Sequence, residues 1–386
     1  MSRIDELINK HCPDGVVYKG LQEIFETKNG YTPSKSNKIF WIDGTVPWFR
    51  MDDIRKNGTI LSESLQQITK EAVKGGRLFP ANSIIIATSA TIGEHALITV
   101  PHLSNQRFTS LSLKPEFSTK LDMRFVYYYC FVLDNWCLAN TEKSSFSSVN
   151  MVGFKRFKFP VPPLPVQQEI IDILDKFTML EAELEAELEA ELEARQQQYT
   201  HYRDELLRFD GEGVKKIPLG DIYDFQYGTG NTIPKIGGEY SVYGSNGIVG
   251  SHNEYNSENS PVIGHIGAYA GIVNWGKGKH FVTYNGVICR MKSEEVISQY
   301  GYYLLLLQDF RSKANSGSQP FVSYHILQAP IVSIPPLEEQ ERIVEILDKF
   351  DALVNDISNG LPAEITARRQ QYEYYRNKLL TFKEAA

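Results

Sequence analysis

The sequence predicts an α+β protein: two mixed α/β modules joined by two long antiparallel helical segments, coiled-coil-like, in a pseudo-two-fold arrangement. Three observations lead there. First, one segment occurs twice in constant register, 173 residues apart. VPPLPVQQEIIDILDKF (Val161 to Phe177) and IPPLEEQERIVEILDKF (Ile334 to Phe350) agree at ten of 17 positions. RQQQYTHYRDELLRF (Arg195 to Phe209) and RRQQYEYYRNKLLTF (Arg368 to Phe382) agree at nine of 15. An internal repeat of this length constrains the architecture before any single motif does. Second, the stretches outside the repeats contain strand-like runs, turns and one aromatic-rich helical run each. Third, the acidic charge is concentrated in the repeated segments.

The first module spans residues 1–160. It opens with Gly15-Val16 and Leu21-Gln22-Glu23-Ile24-Phe25, and the β-branched run Ser83 to Ala87 reads as a strand. Phe125 to Trp136 reads as a helix. The first connector, 161–210, begins with a Pro-Pro pair, which suits an extended entry and then a helix N-terminus. Ile170, Ile173, Leu174 and Phe177 fall at helical spacing. The run LEAELEAELEAELEAR from Leu180 to Arg195 consists of strong helix formers. Its stripe of Leu180, Leu184, Leu188 and Leu192 needs a partner, because four residues overshoot a 3.6-residue turn by about 40° per unit. Its seven Glu repel one another and form a solvated acidic face.

The second module, 211–333, repeats the opening as Gly213-Val214 with Leu219-Gly220-Asp221-Ile222-Tyr223. Pro261 to Gly264 reads as strand and Tyr300 to Phe310 as helix. Its interior diverges from the first module: 16 of the chain's 28 glycines lie between Gly211 and Gly286. A shared frame with a divergent interior implies one scaffold presenting two different surfaces. The last segment, 334–386, supplies the partner stripe: Leu353, Ile357, Leu361 and Ile365. Asn359-Gly360-Leu361-Pro362 is expected to break this helix, with Pro362 restarting it.

Composition narrows the function. With 386 residues, 42% hydrophobic and 12% aromatic, the chain is long and apolar enough for two or three folded domains. The longest apolar run, around Tyr302 to Leu307, is too short for a bilayer span, and MSRIDELINKHC has no signal-peptide core, so the expected location is cytoplasmic. Cys12, Cys130, Cys137 and Cys289 lack metal-ligand spacing and read as buried thiols. The net charge of −7 taken alone argues against a nucleic-acid partner, but its distribution points the other way. Residues 1–160 carry +5 and 211–333 are neutral, whereas 161–210 carry −9 and 334–386 carry −3. The acid sits in the connectors, and the modules are free to approach phosphate.

The paired blocks PPL…Q…I…ILDKF and ARRQQYEYYRNKLLTF, together with NGLPAEI, resemble the conserved regions of type I restriction–modification specificity subunits. The LEAE units look like that family's spacer repeats. WFRMDDIR, IIIATSATIGEHALI and SNQRFTSL look like one of its target-recognition domains, and VYGSNGIVGSHNEY with GHIGAYAG looks like another. The resemblance covers essentially the whole chain. It implies a non-catalytic DNA reader in which each recognition domain reads half of an asymmetric, bipartite double-stranded site. It also implies two methyltransferase subunits on the helical regions and a separate restriction translocase–nuclease subunit. S-adenosylmethionine, ATP and magnesium would then belong to those partners, and this chain would carry no cofactor or metal. Two half-sites about one duplex turn apart, ~34 Å, would suit two readers on a rigid spacer. Each LEAE unit adds about 6 Å of helix, so the number of units is expected to set the unread gap. Methylation mapping after deletion of one unit tests this, and an unchanged gap would refute it.

Side chains that can read base edges are Arg, Lys, Asn, Gln, Ser, Thr and His. In the first module Arg50, Thr88, Ser89, Thr91, Asn105, Gln106 and Arg107 lie in polar segments beside strands. In the second, the candidates are Tyr243, Ser245, Asn246, His252, His265, Tyr269 and Lys277. Each also has a plainer reading: Ser-Ala-Thr runs satisfy turn backbones, Asn246-Gly247 is an ordinary turn, and Arg50 can pair with Asp52 or Asp53. Tyr199, Tyr202 and Arg203, with Tyr372, Tyr375 and Arg376, place Tyr and Arg at helical spacing in the matched tails. That composition suits a protein partner, or packing of each helix on its own module. Gly271 to Lys277 imitates a P-loop, but Gly278 replaces the magnesium-ligating hydroxyl and strand follows where a helix is needed. Two rivals stand beside the main reading. One is a scaffold that assembles proteins without reading sequence, or a defective specificity subunit. The other is a nuclease built on Asp14, Glu26 and Lys28.

Overall fold

The computed structural model describes residues 3–142, 147–208, 210–230, 233–315, 319–355 and 360–385. Phe209 at the end of the first repeat copy, and Ile357 and Asn359 in the last segment, lie outside the described residues. The chain forms two compact units, residues 1–184 with 367–386 and residues 185–366.

In the first unit, strand Tyr18–Gly20 pairs antiparallel with Lys158–Pro160. The short helix Leu21–Ile24 leads into strand Phe25–Asn29, the edge of a five-stranded sheet. From that edge the order is Phe108–Leu113, Ser83–Ala87, His95–Ile98 and Ile60–Leu61, antiparallel except for the last pair. Every residue of Ser83–Ala87 is buried, as its run of three isoleucines requires of a central strand. Behind the sheet lies helix Met123–Ala139, whose aromatic residues Phe125, Tyr127, Tyr128 and Tyr129 fill the main core. A second, three-stranded sheet, ordered Gln67–Ile68, Val46–Phe49, Leu103–Ser104, packs around Trp48 and Phe79.

The second unit repeats the frame. Lys215–Pro218 pairs with Ile331–Ile334, helix Leu219–Ile222 follows, and Tyr223–Tyr227 pairs with Gly286–Met291. Here the sheet has six strands, ordered Tyr223–Tyr227, Gly286–Met291, Ser257–Gly264, Val273–Val282, Tyr240–Gly244, Gly247–His252. The expected second helix is interrupted: Ser298–Leu307 ends, Asp309 takes a left-handed conformation, and Phe310–Lys313 forms a separate turn.

The starts of the two repeat copies make matching contacts in their own units. Gln167 is fully buried; its amide donates to the Lys120 and Pro162 carbonyls, and its oxygen accepts from Asp122 N–H. Gln340, its counterpart 173 positions on, donates to Glu295 and Pro335 and accepts from Ile297. Likewise the Tyr128 hydroxyl donates to Asp175 at 2.6 Å and the Tyr303 hydroxyl to Asp348 at 2.5 Å. These paired bonds tie each helix start to the aromatic helix of its module. Burial and the adjacent carboxylate push both phenol pKa values up, so the tyrosines remain donors.

The long helix Leu164–Leu207 runs unbroken through the LEAE units. In the first unit its opening turns meet the last helix, with Thr178 and Tyr372 hydroxyls 2.7 Å apart. In the second unit its closing turns meet helix Leu337–Asn355, where the Tyr202 ring lies 6.0 Å from Phe350. The start of one copy thus pairs with the end of the other, as antiparallel segments do. The last helix begins at Leu361 with Pro362 in its first turn, in keeping with the expected restart. Residues 383 and 385 then pair with Val16, so the second tail leads into the first module as the first tail leads into the second.

Candidate nucleic-acid interface

Four of the predicted residues converge in the first unit. Arg50, Asn105, Gln106 and Arg107 line one groove of about 670 Å³. Parallel pairing of Trp48 with Leu103 and of Phe49 with Ser104 creates it, because both strands then deliver their following residues to the same place. Asn105 N–H donates to the Phe49 carbonyl, and the Asn105 side chain accepts from Arg107 N–H, closing a tight turn. Gly30 packs against this turn so closely that a Cβ there would collide with the Ser104 and Asn105 carbonyl oxygens.

Asp53, fully buried, holds the other wall. It accepts from Arg50 N–H at 2.6 Å and from Leu65 N–H at 2.5 Å. The Arg50 guanidinium lies 5.7 Å from the Trp48 ring centre and 3.7 Å from the Asp52 carboxylate. Lys35, Lys38 and Trp41 also line the groove and were missed from sequence. The signal was present in the polar, basic run Ser34-Lys35-Ser36-Asn37-Lys38. The groove therefore offers four cations against one carboxylate, with amides from Gln66, Asn105 and Gln106. That is the donor and acceptor set for a phosphate-bearing, hydrogen-bonding ligand.

Thr88, Ser89 and Thr91 are not part of this groove's lining. The expectation for Thr88 is corrected: it is buried, with its hydroxyl bonded to Thr109 at 2.9 Å. Ser89 bridges to Ser148, and the Thr91 hydroxyl is buried.

In the second unit Tyr243 and His265 flank the turn between strands Val273–Val282 and Gly286–Met291: the Tyr243 carbonyl accepts from Thr283 N–H, and His265 N–H donates to the Asn285 carbonyl. Gly264 has no room for a side chain against the Ser245 and Tyr269 carbonyls, so these two loops are drawn together. His265, buried, stacks on Tyr227 with ring centres 4.2 Å apart, and Tyr227 stacks in turn on Tyr324 at the same distance. Tyr284, nearly half exposed, lies beside this stack, and Tyr269 is exposed to a similar extent. Tyr227, Tyr284 and Tyr324 had no local sequence signal, since they come from three separate elements.

One expectation is corrected here. Tyr243 is buried, and its hydroxyl donates to the Trp275 carbonyl. His265 is a stacking member of the cluster, with Nδ1 against the Tyr284 carbonyl at 3.2 Å. Asn246 is exposed in its turn, His252 stacks flat on Phe281, and Lys277 is exposed within its strand.

The helical tails divide by face. Tyr199 and Arg376 pack on their own modules: Tyr199 is in the second core, and Arg376 lies 3.8 Å over the Phe131 ring. Arg203 donates two hydrogen bonds to Asp204, and Tyr372 bonds Thr178. Tyr202 and Tyr375 are more than 40% exposed, which leaves them available to a partner.

Glu26 and Lys28 form an exposed ion pair on strand Phe25–Asn29. Among the described residues no group of three or more His, Cys, Asp or Glu could hold a metal ion. No described helix is long and apolar enough to cross a membrane. All four cysteines are buried and unpaired, and burial pushes the thiol pKa of Cys137 up to about 12.

The family model for the type I restriction modification DNA specificity domain matches residues 13–194 and 211–367. The chain is 46% identical over 354 residues to the type I restriction enzyme EcoprrI specificity subunit of Escherichia coli, covering 88% of each. Among solved structures, a chain from work on complex assembly and conformational transition of the type I R-M system shares the fold with a TM-score of 0.70. It is 14% identical, and the match covers 95% of this chain and 97% of that one. The HsdS subunit from Thermoanaerobacter tengcongensis matches with a TM-score of 0.53 at 14% identity, over 94% and 96% of the two chains. With two matched domains covering most of its length and a close relative spanning nearly all of it, this chain belongs to the family of type I restriction–modification DNA specificity subunits.

Proposed function

We propose that this chain reads an asymmetric, bipartite DNA site and brings methyltransferase and restriction translocase–nuclease subunits to it. One observation carries the reading. A single frame, fixed by the Gln167/Gln340 and Asp175/Asp348 contacts, presents two unlike polar surfaces. One is a cationic groove rich in amides, and the other is an aromatic cluster of Tyr227, His265, Tyr284 and Tyr324. Unlike readers on like frames suit unlike half-sites.

In this reading the chain supplies recognition and no bond-breaking chemistry. S-adenosylmethionine, ATP and magnesium sit on the partners, and Tyr202 and Tyr375 belong to the faces that meet them. Genome-wide adenine-methylation mapping with and without the gene is the test. Deletion is expected to abolish methylation at one split motif with a fixed gap. If no motif changes, the scaffold reading or the defective-reader reading replaces this one.

A further inference from the structure

We infer that Arg50 and Asp52 together read a single G·C base pair in the major groove; this rests on the DNA-reading function proposed above. The cations of the first-unit groove are not equivalent. Lys35, Lys38 and Arg107 are exposed, as suits contact with a phosphate backbone. Arg50 is held. Its backbone N–H is fixed by buried Asp53, its guanidinium lies by Trp48, and its Nε is buried without a hydrogen-bond partner. A restrained guanidinium presents its remaining N–H groups as a pre-set fork, which a flexible lysine cannot do.

Asp52 is what separates base reading from phosphate binding. A carboxylate 3.7 Å from the guanidinium repels phosphate, so a cation meant for the backbone is poorly served by it. The separation also exceeds a hydrogen bond, leaving both groups with unused capacity. In the major groove, guanine shows two adjacent acceptors, O6 and N7, and its cytosine partner shows an amino donor. A donor fork beside an acceptor matches that pattern. An A·T pair interleaves acceptor, donor and acceptor, and a fork next to a carboxylate does not fit it. Asp52 also sits in the first turn of helix Met51–Asn57, where a carboxylate is favoured by the helix dipole whatever it binds. The test must therefore separate a reading role from a helix-stabilising one.

The chain assembled with its methyltransferase subunits is given duplexes carrying its mapped site, with each base pair substituted in turn. Wild type is expected to lose about ten- to hundredfold in methylation when one particular G·C pair is changed. Arg50→Gln is expected to reduce that discrimination to a few-fold at that pair alone and leave discrimination at every other position intact. Arg50→Lys, which keeps charge and most of the packing, should flatten the same position because it lacks the fork. Asp52→Ala should weaken discrimination at that pair and nowhere else. Even losses at all positions would overturn the proposal and make Arg50 a phosphate contact or a structural residue. Full discrimination retained by Arg50→Lys would overturn it as well, and this variant answers the question if Arg50→Gln fails to fold. A wild-type complex with no sequence preference would remove the DNA-reading function itself, a result distinguishable from either. Lys35→Ala with Lys38→Ala is expected to weaken binding uniformly and flatten its salt dependence.

Discussion

Replacing Gln340 with methionine is expected to destabilise the second unit by roughly 3 kcal/mol or more, one of the largest effects available outside the hydrophobic core. The amide is fully buried and makes three bonds at 2.8–2.9 Å, to Ile297 N–H and to the Glu295 and Pro335 carbonyls. Methionine matches its length and apolar stem but can neither donate nor accept comparably. The substitution leaves one backbone donor and two acceptors without partners, each costing about 1–3 kcal/mol when buried. Gln340→Glu should fare no better, because a carboxylate accepts from Ile297 but faces two carbonyl oxygens it cannot donate to. Urea denaturation monitored by hydrogen exchange resolves where the loss falls. Peptides covering 292–347 should lose protection, whereas 120–167 should not; Gln167→Met should give the mirror result. A loss below about 1 kcal/mol would mean that water or backbone relaxation replaces the amide.

The importance of these glutamines explains why so much of the frame could be read from the chain. At the helix starts, a residue type that recurs in both copies recurs with the same contact. Gln167 and Gln340 close the same turn, and Asp175 and Asp348 receive the same tyrosine hydroxyl. Local chemistry was also legible where it acts over a few residues, as in the isoleucine run of Ser83–Ala87 or the restart at Pro362.

What could not be read depends on long-range pairing. Arg50 reaches Asn105, Gln106 and Arg107 through a parallel strand pair, and such a pairing leaves no turn signal between its strands. Thr88 looked like a loop residue, yet it is covered because the neighbouring strand places Thr109 against it. The Tyr324–Tyr227–His265 stack draws on three distant elements, and none of these residues is unusual in its own segment. The tails divided for another reason. A helix with Tyr and Arg at 3–4-residue spacing shows which residues share a face but not which face meets the module. Arg376 went inward onto Phe131 and Tyr375 outward. The groove also shows where composition helps: net charge placed the basic excess in the first module, and that is the unit in which four cations converge.

Lowering the pH from 6.5 to about 4 is expected to cost the first unit roughly 3 kcal/mol through His102 alone. His102 is buried, edge-on to Phe49 and Phe79, with ring centres 5.6 Å from each. Its Nδ1 lies 2.9 Å from the Val100 carbonyl and so carries the ring proton, while Nε2 is buried with no partner. A second proton on Nε2 would place a positive charge where nothing accepts from it. Burial therefore lowers the pKa from 6.5 to about 4, against the opposing hydrogen bond to the Val100 carbonyl. The sign follows from which state takes the proton. Below 6.5 the unfolded chain binds it and the folded chain refuses it, so stability is fully present above 6.5 and is lost as the pH falls towards 4. Below about 4 both states are protonated and the slope vanishes. His102→Asn keeps a donor near the Nδ1 position and cannot titrate. It should be less stable at pH 7, yet lack this component of the acid slope in urea midpoints measured from pH 7 to 4. Equal slopes for the two proteins would dismiss His102 as the acid-sensitive group. Because Leu103–Ser104 leads directly from His102 into Asn105, Gln106 and Arg107, acid strain at this ring falls first on the groove wall. DNA binding by the assembled complex should then weaken before the second unit loses structure.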